Sequence, residues 1–417
     1  MTAVLDRRVT GPSAMVVPAP QVPRSVNPFV RWTFYLYLCS IPFELPQRPI
    51  PIPLEIPTLF GFLFLFTSVL DLRACYGVVG PAQRWFAVYL WMFVVSALIH
   101  VGPYQGEILR LLINMLQVAL LFWAGSGLFR DSAIRHHALR LFGLACVARA
   151  AVQVSGIAAT AHQVWTGGER VTAFGQNANL SAMILSAGAM AILGLRLAQR
   201  PLWRPGITAW PAVLLIGLAI TQTGSRGGIL GLGLGAAAFL FRGGSMLARS
   251  RNITVACLAL GGLLYGARNS TLLRNRFAAA ETGQLAGREE MYPILWDMFR
   301  EKPLLGWGPI ANQFELAKRL GNPKFERRDA HNIVFELVTT TGVIGAIPFL
   351  IGLGLCIRNG WRARRGPDRM LAFALLLPIL EGILSGTWIA SKILWLALAQ
   401  ADAAGRTHAE AELACAV

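Results

Sequence analysis

The stretch IVFELVTTTGVIGAIPFLIGLGLCI, residues 333–357, decides the fold class. A helix needs about 20 mostly apolar residues to cross a hydrocarbon core roughly 30 Å thick, and this run exceeds that. Working outward, comparable runs lie at residues 29–41, 56–70, 85–101, 109–129, 139–161, 174–197, 207–222, 227–241 and 253–267, and again at 370–388 and 389–400. The 417-residue chain is 55% apolar and 14% charged, with a mean hydropathy of +0.52, whereas soluble domains carry roughly 25% charge. A water-soluble enzyme, a disordered chain and a disulfide-stapled secreted domain are therefore excluded. The six cysteines are scattered without CxxC spacing and read as small hydrophobes. The expected fold is all-α: a polytopic membrane bundle of about twelve transmembrane helices.

Orientation follows from arginine, since cytoplasmic loops retain positive charge. Alternate connections carry Arg7, Arg8, Arg24 and Arg31, then Arg73 and Arg84, then Arg130, Arg135 and Arg140. The series continues through Arg196 to Arg204, Arg242 to Arg251, and Arg358 to Arg369, and closes at Arg406. The intervening short loops hold only Arg48 and Arg170, with Arg110, Arg149, Arg226 and Lys392 at or within span ends. Both termini are expected in the cytoplasm. A formal charge of +17 is then a basic inner rim facing anionic lipid, and no nucleic-acid partner is needed. Residues 1–28 read as a disordered cytoplasmic tail without a cleavable signal, residues 29–267 as about nine spans, 331–400 as the closing spans and 401–417 as a second tail.

Residues 268–330 break the pattern as one large loop on the outer side, with eleven basic and eight acidic residues. Loops of this length are usually functional. Met291, Ile294, Leu295 and Met298 share one face of a helix over residues 289–298, which Pro303 and the Gly306-Trp307-Gly308-Pro309 turn end. A second short helix spans residues 312–320. The loop reads as a solvated cap on the bundle or as a lid over a site at the outer face.

Ionisable groups at membrane depth are costly and rarely idle. Arg226, in TGSRGG (residues 223–228), opens an apolar helix beside Gly224, Gly227 and Gly228. It reads either as an interfacial arginine reaching lipid phosphate or as an anion ligand at a helix start. Arg288 opens the loop helix, as an ion-pair former or as a second anion ligand. His331, in Asp329-Ala330-His331-Asn332, reads as a helix cap or as a base that titrates near neutrality. As one continuous helix, residues 331–357 would measure about 40 Å, putting His331 at or above the interface. Glu169-Arg170 and Phe174-Gly175-Gln176-Asn177-Ala178-Asn179 form a fourth cluster, whose asparagines could equally bind neighbouring helices. His136-His137 lies among arginines without carboxylate partners, and the GLGLG run at 231–235 reads as close helix packing. There is no HExxH, Walker or DxD-type pattern, so neither metal nor cofactor is expected.

In this order, Arg170 with residues 174–179, TGSRGG at 223–228, Arg288, EKPLLGWGP at 301–309, HNIVFELVTTTGVIG at 331–345 and SGTWIASKILWLALA at 385–399 resemble the O-antigen ligase and polymerase superfamily of bacterial inner-membrane proteins. The resemblance covers residues 170–400; the earlier spans match only in hydropathy. It implies a metal-independent, inverting glycosyltransferase working on the periplasmic face, with residues 268–330 as a periplasmic loop. The donor would be a glycan on undecaprenyl diphosphate and the acceptor lipid A–core or another glycan. By the same resemblance Arg226 and Arg288 hold the diphosphate and His331 is the base, with Arg170, Asn179 and Asn332 as secondary candidates. A bidentate arginine can stabilise a departing diphosphate without a metal. The reading favours a ligase, with a polymerase for O-antigen or exopolysaccharide as the alternative. A transporter is the competing class, but the polar candidates gather at one interface and the halves are unrelated, unlike a carrier.

Overall fold

The structure is a computed structural model that describes residues 26–44, 55–163, 168–198, 209–241, 270–281, 287–321, 326–366 and 368–416. The expected span at 253–267, the tail up to residue 25 and parts of the large loop lie outside the described residues.

The described chain is an all-α bundle. Helices α1 (Pro28–Ser40), α2 (Ile56–Ser68), α3 (Leu72–Tyr76), α4 (Pro81–Ile99), α5 (Gln105–Leu128) and α6 (Ser132–Ser155) make its first half. Helices α7 (Ala178–Leu197), α8 (Ala209–Gln222) and α9 (Arg226–Ala238) follow, and then the short α10 (Thr271–Glu281), α11 (Arg288–Glu301) and α12 (Ala311–Leu320). The chain closes with α13 (Ile333–Arg362), α14 (Leu371–Leu384) and α15 (Lys392–Ala416). Among the described residues six helical stretches are long and apolar enough to cross a membrane, and three shorter apolar helices accompany them. Large apolar side chains such as Phe66, Leu98 and Leu214 point outward, as a lipid-facing surface requires.

Local signals explain the starts and stops. Prolines at the first positions of α1 and α4 need no hydrogen-bond partner. Side chains of Asp131, Asn177, Ser225 and Asn332 cap α6, α7, α9 and α13. Left-handed Gly156 ends α6 at Ser155, short of the expected span end at residue 161. The chain then forms a two-stranded antiparallel hairpin, β1 (Ala159–Gln163) with β2 (Glu169–Ala173), which hydropathy did not foreshadow. Almost wholly buried, α7 is the hub of the second half and packs on α6, α8, α9 and α14. The glycines of the 231–235 run pack as expected: Gly231 lies against Pro378 and Gly235 against Met190.

Helix α13 is not the single 40 Å rod that the hydropathy suggests. Gly342 adopts φ 62°, ψ −169° and breaks it, and a side chain there would collide with the carbonyl of Leu304. The loop after α11 fills the break. The amides of Trp307 and Gly308 donate to the carbonyls of Thr339 (2.7 Å) and Thr340 (3.0 Å), while Val343 donates to the carbonyl of Pro303 (2.8 Å). Broken backbone inside a bundle is tolerated where protein groups satisfy it. The EKPLLGWGP run is that partner.

At the opposite end of the bundle, basic residues are matched by carboxylates. Asp368 accepts from Arg135 Nε at 2.8 Å and lies 2.6 Å from His136 Nε2, all three buried. The expectation that the 136–137 histidines lack a carboxylate is thus corrected: the partner is more than two hundred residues away in sequence. Residues 401–416, expected as a tail, continue α15. Buried Asp402 anchors them, accepting from Gln83 (2.9 Å), Asn359 (3.0 Å) and Arg406 (2.6 Å).

Candidate active site

The N-termini of α7, α9, α11, α13 and α15 and the β-hairpin meet at one end of the bundle, where bonds tie Arg170 to Thr223, His331 to Thr387 and Ser96 to Thr340. The TGSRGG turn is built by Gly224, whose φ of 60° suits glycine. Ser225 caps α9, its hydroxyl accepting from Gly228 N at 3.1 Å, so one amide of that helix start is already engaged. Gly227 and Gly228 are packed against Glu381 and Ala182; their small size serves helix packing.

Arg226, the first residue of α9, donates from Nη1 to the carbonyl of Arg276 at 2.7 Å. Arg170, on β2, donates from Nε to the carbonyl of Thr223 at 2.7 Å and from Nη2 to Asn179 Oδ1 at 2.8 Å. Asn179 also accepts from Ser225 Oγ at 3.1 Å, so it couples Arg170 to the α9 cap. Arg288, the first residue of α11, donates to the carbonyl of Ser385. These bonds all end on neutral acceptors.

A fourth arginine, Arg276 on α10, completes the group and was not singled out from the sequence. Nη1 of Arg276 is buried without a hydrogen-bond partner among the described residues. Its only advance signal was a basic pair, Arg274 and Arg276, on a short polar helix inside the loop. Arg226 and Arg288 each repel Arg276, and Arg276 and Arg226 repel Arg170. Burial, reinforced by these neighbours, pulls Arg170 down to about 9 and Arg276 down to about 10. Both stay protonated at neutral pH. Among the described residues none of the four forms an ion pair; Glu381 acts on Arg288 only through its field.

His331 precedes α13 in a left-handed conformation, φ 50°, which costs a non-glycine residue of order 1 kcal/mol. Its amide donates to Thr387 Oγ1 at 3.0 Å. The residue is half-buried, and its ring makes no hydrogen bond among the described residues. Burial lowers its pKa below 6.5; Asp329 opposes this, and Arg328 and Arg288 add to it. The imidazole is therefore neutral at pH 7, the state a base needs. Asn332 is the α13 cap, accepting from Val334 N at 2.9 Å and donating to the carbonyl of Leu384 at 3.2 Å. It positions His331 against α14 and is itself committed.

The six residues predicted from sequence thus share one region. Arg226 and Arg288 interact with each other, and Arg288 with His331; Arg170 joins them through Arg276, while Asn179 and Asn332 act as supports. Another overlooked group is Glu336, buried in the first turn of α13. Its Oε1 accepts from Thr340 Oγ1 at 3.2 Å, and its Oε2 finds no hydrogen-bond partner among the described residues. Among the described residues no three His, Cys, Asp or Glu side chains gather in a metal-holding group.

Residues 211–350 match the family model described as O-antigen ligase. Over this stretch the chain is similar to the O-antigen ligase family. That match supports a relation to the O-antigen ligase and polymerase superfamily. The matched stretch includes Arg226, Arg276, Arg288, His331, Asn332 and the Gly342 break, and leaves Arg170 and Asn179 upstream. No curated protein matches the chain significantly.

Proposed function

We propose that this protein is a metal-independent, inverting glycosyltransferase of the bacterial inner membrane, with about twelve spans, that moves a polysaccharide from undecaprenyl diphosphate to lipid A–core on the periplasmic side. The observation that carries this reading is the group of four arginines, which have no carboxylate ion-pair partner among the described residues, beside a neutral, half-buried histidine. Such a group is costly unless an anion joins it, and the donor's diphosphate, esterified at both ends, is a dianion.

In the proposed reaction an acceptor hydroxyl attacks the anomeric carbon from the face opposite the diphosphate. His331 takes the hydroxyl proton as the new glycosidic bond forms. The bond from the anomeric carbon to the phosphate oxygen breaks, and undecaprenyl diphosphate leaves with the electron pair. Arg226, Arg276 and Arg288 stabilise the charge that grows on that oxygen, as preorganised donors do in dry sites. Arg170 adds its field, held by Asn179. One-step displacement gives inversion.

The test uses a strain lacking its own ligase. Wild type should restore a lipopolysaccharide ladder that carries O-antigen, and an equally expressed His331→Ala should not. A ladder from His331→Ala at wild-type level would remove the base. Failure of wild type here with success in a polymerase-deficient strain would move the assignment to polymerase.

A further inference from the structure

A cavity of about 800 Å³ opens between the α4–α5 connection, the segment that follows α11, and helix α12. It is separate from the arginine group. Its lining includes Tyr104, Trp307, Phe314, Lys302, Glu315 and Lys318. Its size falls in the range of small-ligand sites, and its composition is unusual for one: three half-buried aromatic rings with charged groups of both signs.

The rings are fixed before any ligand arrives. Tyr104 and Phe314 stack at 4.3 Å with only 13° between their planes. Trp307 is held by its indole N–H, which donates to the carbonyl of Met298 at 2.8 Å, and by its amide on Thr339. Lys302 Nζ sits 4.0 Å from the centre of that ring, and Glu315 is held by Arg319 at 2.8 Å. A sugar ring offers a patch of C–H groups with slight positive charge, which suits the negative face of an aromatic ring, and a rim of hydroxyls, which suits carboxylate and ammonium. A flat apolar ligand would leave the charges unused, and an inorganic anion would leave the rings unused.

From this, we infer that the cavity is a glycan-binding subsite, distinct from the reaction centre. The inference rests on the proposed glycan transfer for the identity of its ligand. Its position adds to the argument. Helix α11 carries Arg288 at one end and leads into Lys302 at the other, and its 14 residues span about 21 Å. A saccharide of several units reaches from one end to the other, whereas a single sugar does not. The subsite therefore holds sugars remote from the bond that forms. The same 302–308 segment that lines the cavity also fills the α13 break below His331. Ser96 fixes it further, donating to the carbonyls of Leu305 (3.1 Å) and Thr340 (2.8 Å).

Two glycans could supply the bound sugars: the polymer on the carrier, or the acceptor's core. Saturation-transfer NMR on the purified full-length protein distinguishes them. One probe is the carrier-free repeat-unit oligosaccharide of the donor, and the other is the core oligosaccharide freed of lipid A. One of the two should bind wild type and His331→Ala equally. That binding should weaken about tenfold in Tyr104→Ala and Phe314→Ala and about threefold in Lys318→Glu, an exposed position where the fold is not at risk. Equal binding by all three cleft variants would overturn the subsite. So would loss of binding in His331→Ala and Arg226→Gln alone, which would put the sugar at the reaction centre. Wild type that transfers glycan yet binds neither oligosaccharide would sink this inference and spare the proposed function. Wild type that binds one through the cleft but transfers nothing would do the reverse.

Discussion

The two ends of the bundle handle positive charge in opposite ways. At one end Arg135 is paired with Asp368, Arg406 with Asp402 and Arg130 with Glu410. At the other, Arg170, Arg226, Arg276 and Arg288 find carbonyls, an amide oxygen and one another. Buried cations are normally paired, because an unpaired charge in low dielectric costs several kcal/mol. The first end satisfies that rule within the chain. At the second, no carboxylate among the described residues forms an ion pair with the half-buried arginines, and under the proposed function a polyprenyl diphosphate would supply the missing charge. Sequence charge counts do not separate the two cases, since arginine is abundant at both.

Four changes would break or sharpen that contrast. Asp368→Ala strips a buried arginine of its partner and should destabilise the fold by about 3–5 kcal/mol. A thermal-shift measurement should show this, while donor binding by the folded fraction stays unchanged. Arg288→Gln touches both the arginine group and His331; transfer should fall about 100-fold, near 2.7 kcal/mol, with the melting temperature almost unmoved. Arg226→Lys keeps the charge and loses the fork, so a loss of at least about tenfold, near 1.4 kcal/mol, is expected in steady-state assays. Unchanged activity would reduce Arg226 to a helix anchor. The smallest effect is in pH. Because His331 titrates below 6.5, the neutral base persists as pH falls to that value, and kcat/KM should decline only beneath it. An acid limb centred above 6.5 would contradict that environment for the ring.

Much of the bundle was legible in hydropathy, because lipid imposes helix on any long apolar run. The helices of the loop were legible too: Met291, Leu295 and Met298 face one core and are buried. Three features were not. The β-hairpin uses Ala159–Gln163 and Glu169–Ala173, segments too short and polar-apolar mixed to separate from a span end. The break at Gly342 was not read from the sequence, because the groups that satisfy it come from residues 303–308, far away along the chain. Arg276 was hidden among the eleven basic residues of the loop; only tertiary folding sets it against Arg226. Arg149 shows the converse limit. Read as lying at or within a span end, it is wholly buried in α6 and donates to Ser181 Oγ at 2.6 Å.

The central claim is that the unpaired arginines hold the carrier's diphosphate. Its most direct test is equilibrium binding of undecaprenyl diphosphate, without glycan, to the purified protein, comparing wild type with Arg276→Gln and with Arg130→Gln at the paired end. The account predicts that Arg276→Gln weakens binding about tenfold or more and that Arg130→Gln leaves it unchanged. Equal affinity for all three would show that the arginine group serves the fold alone.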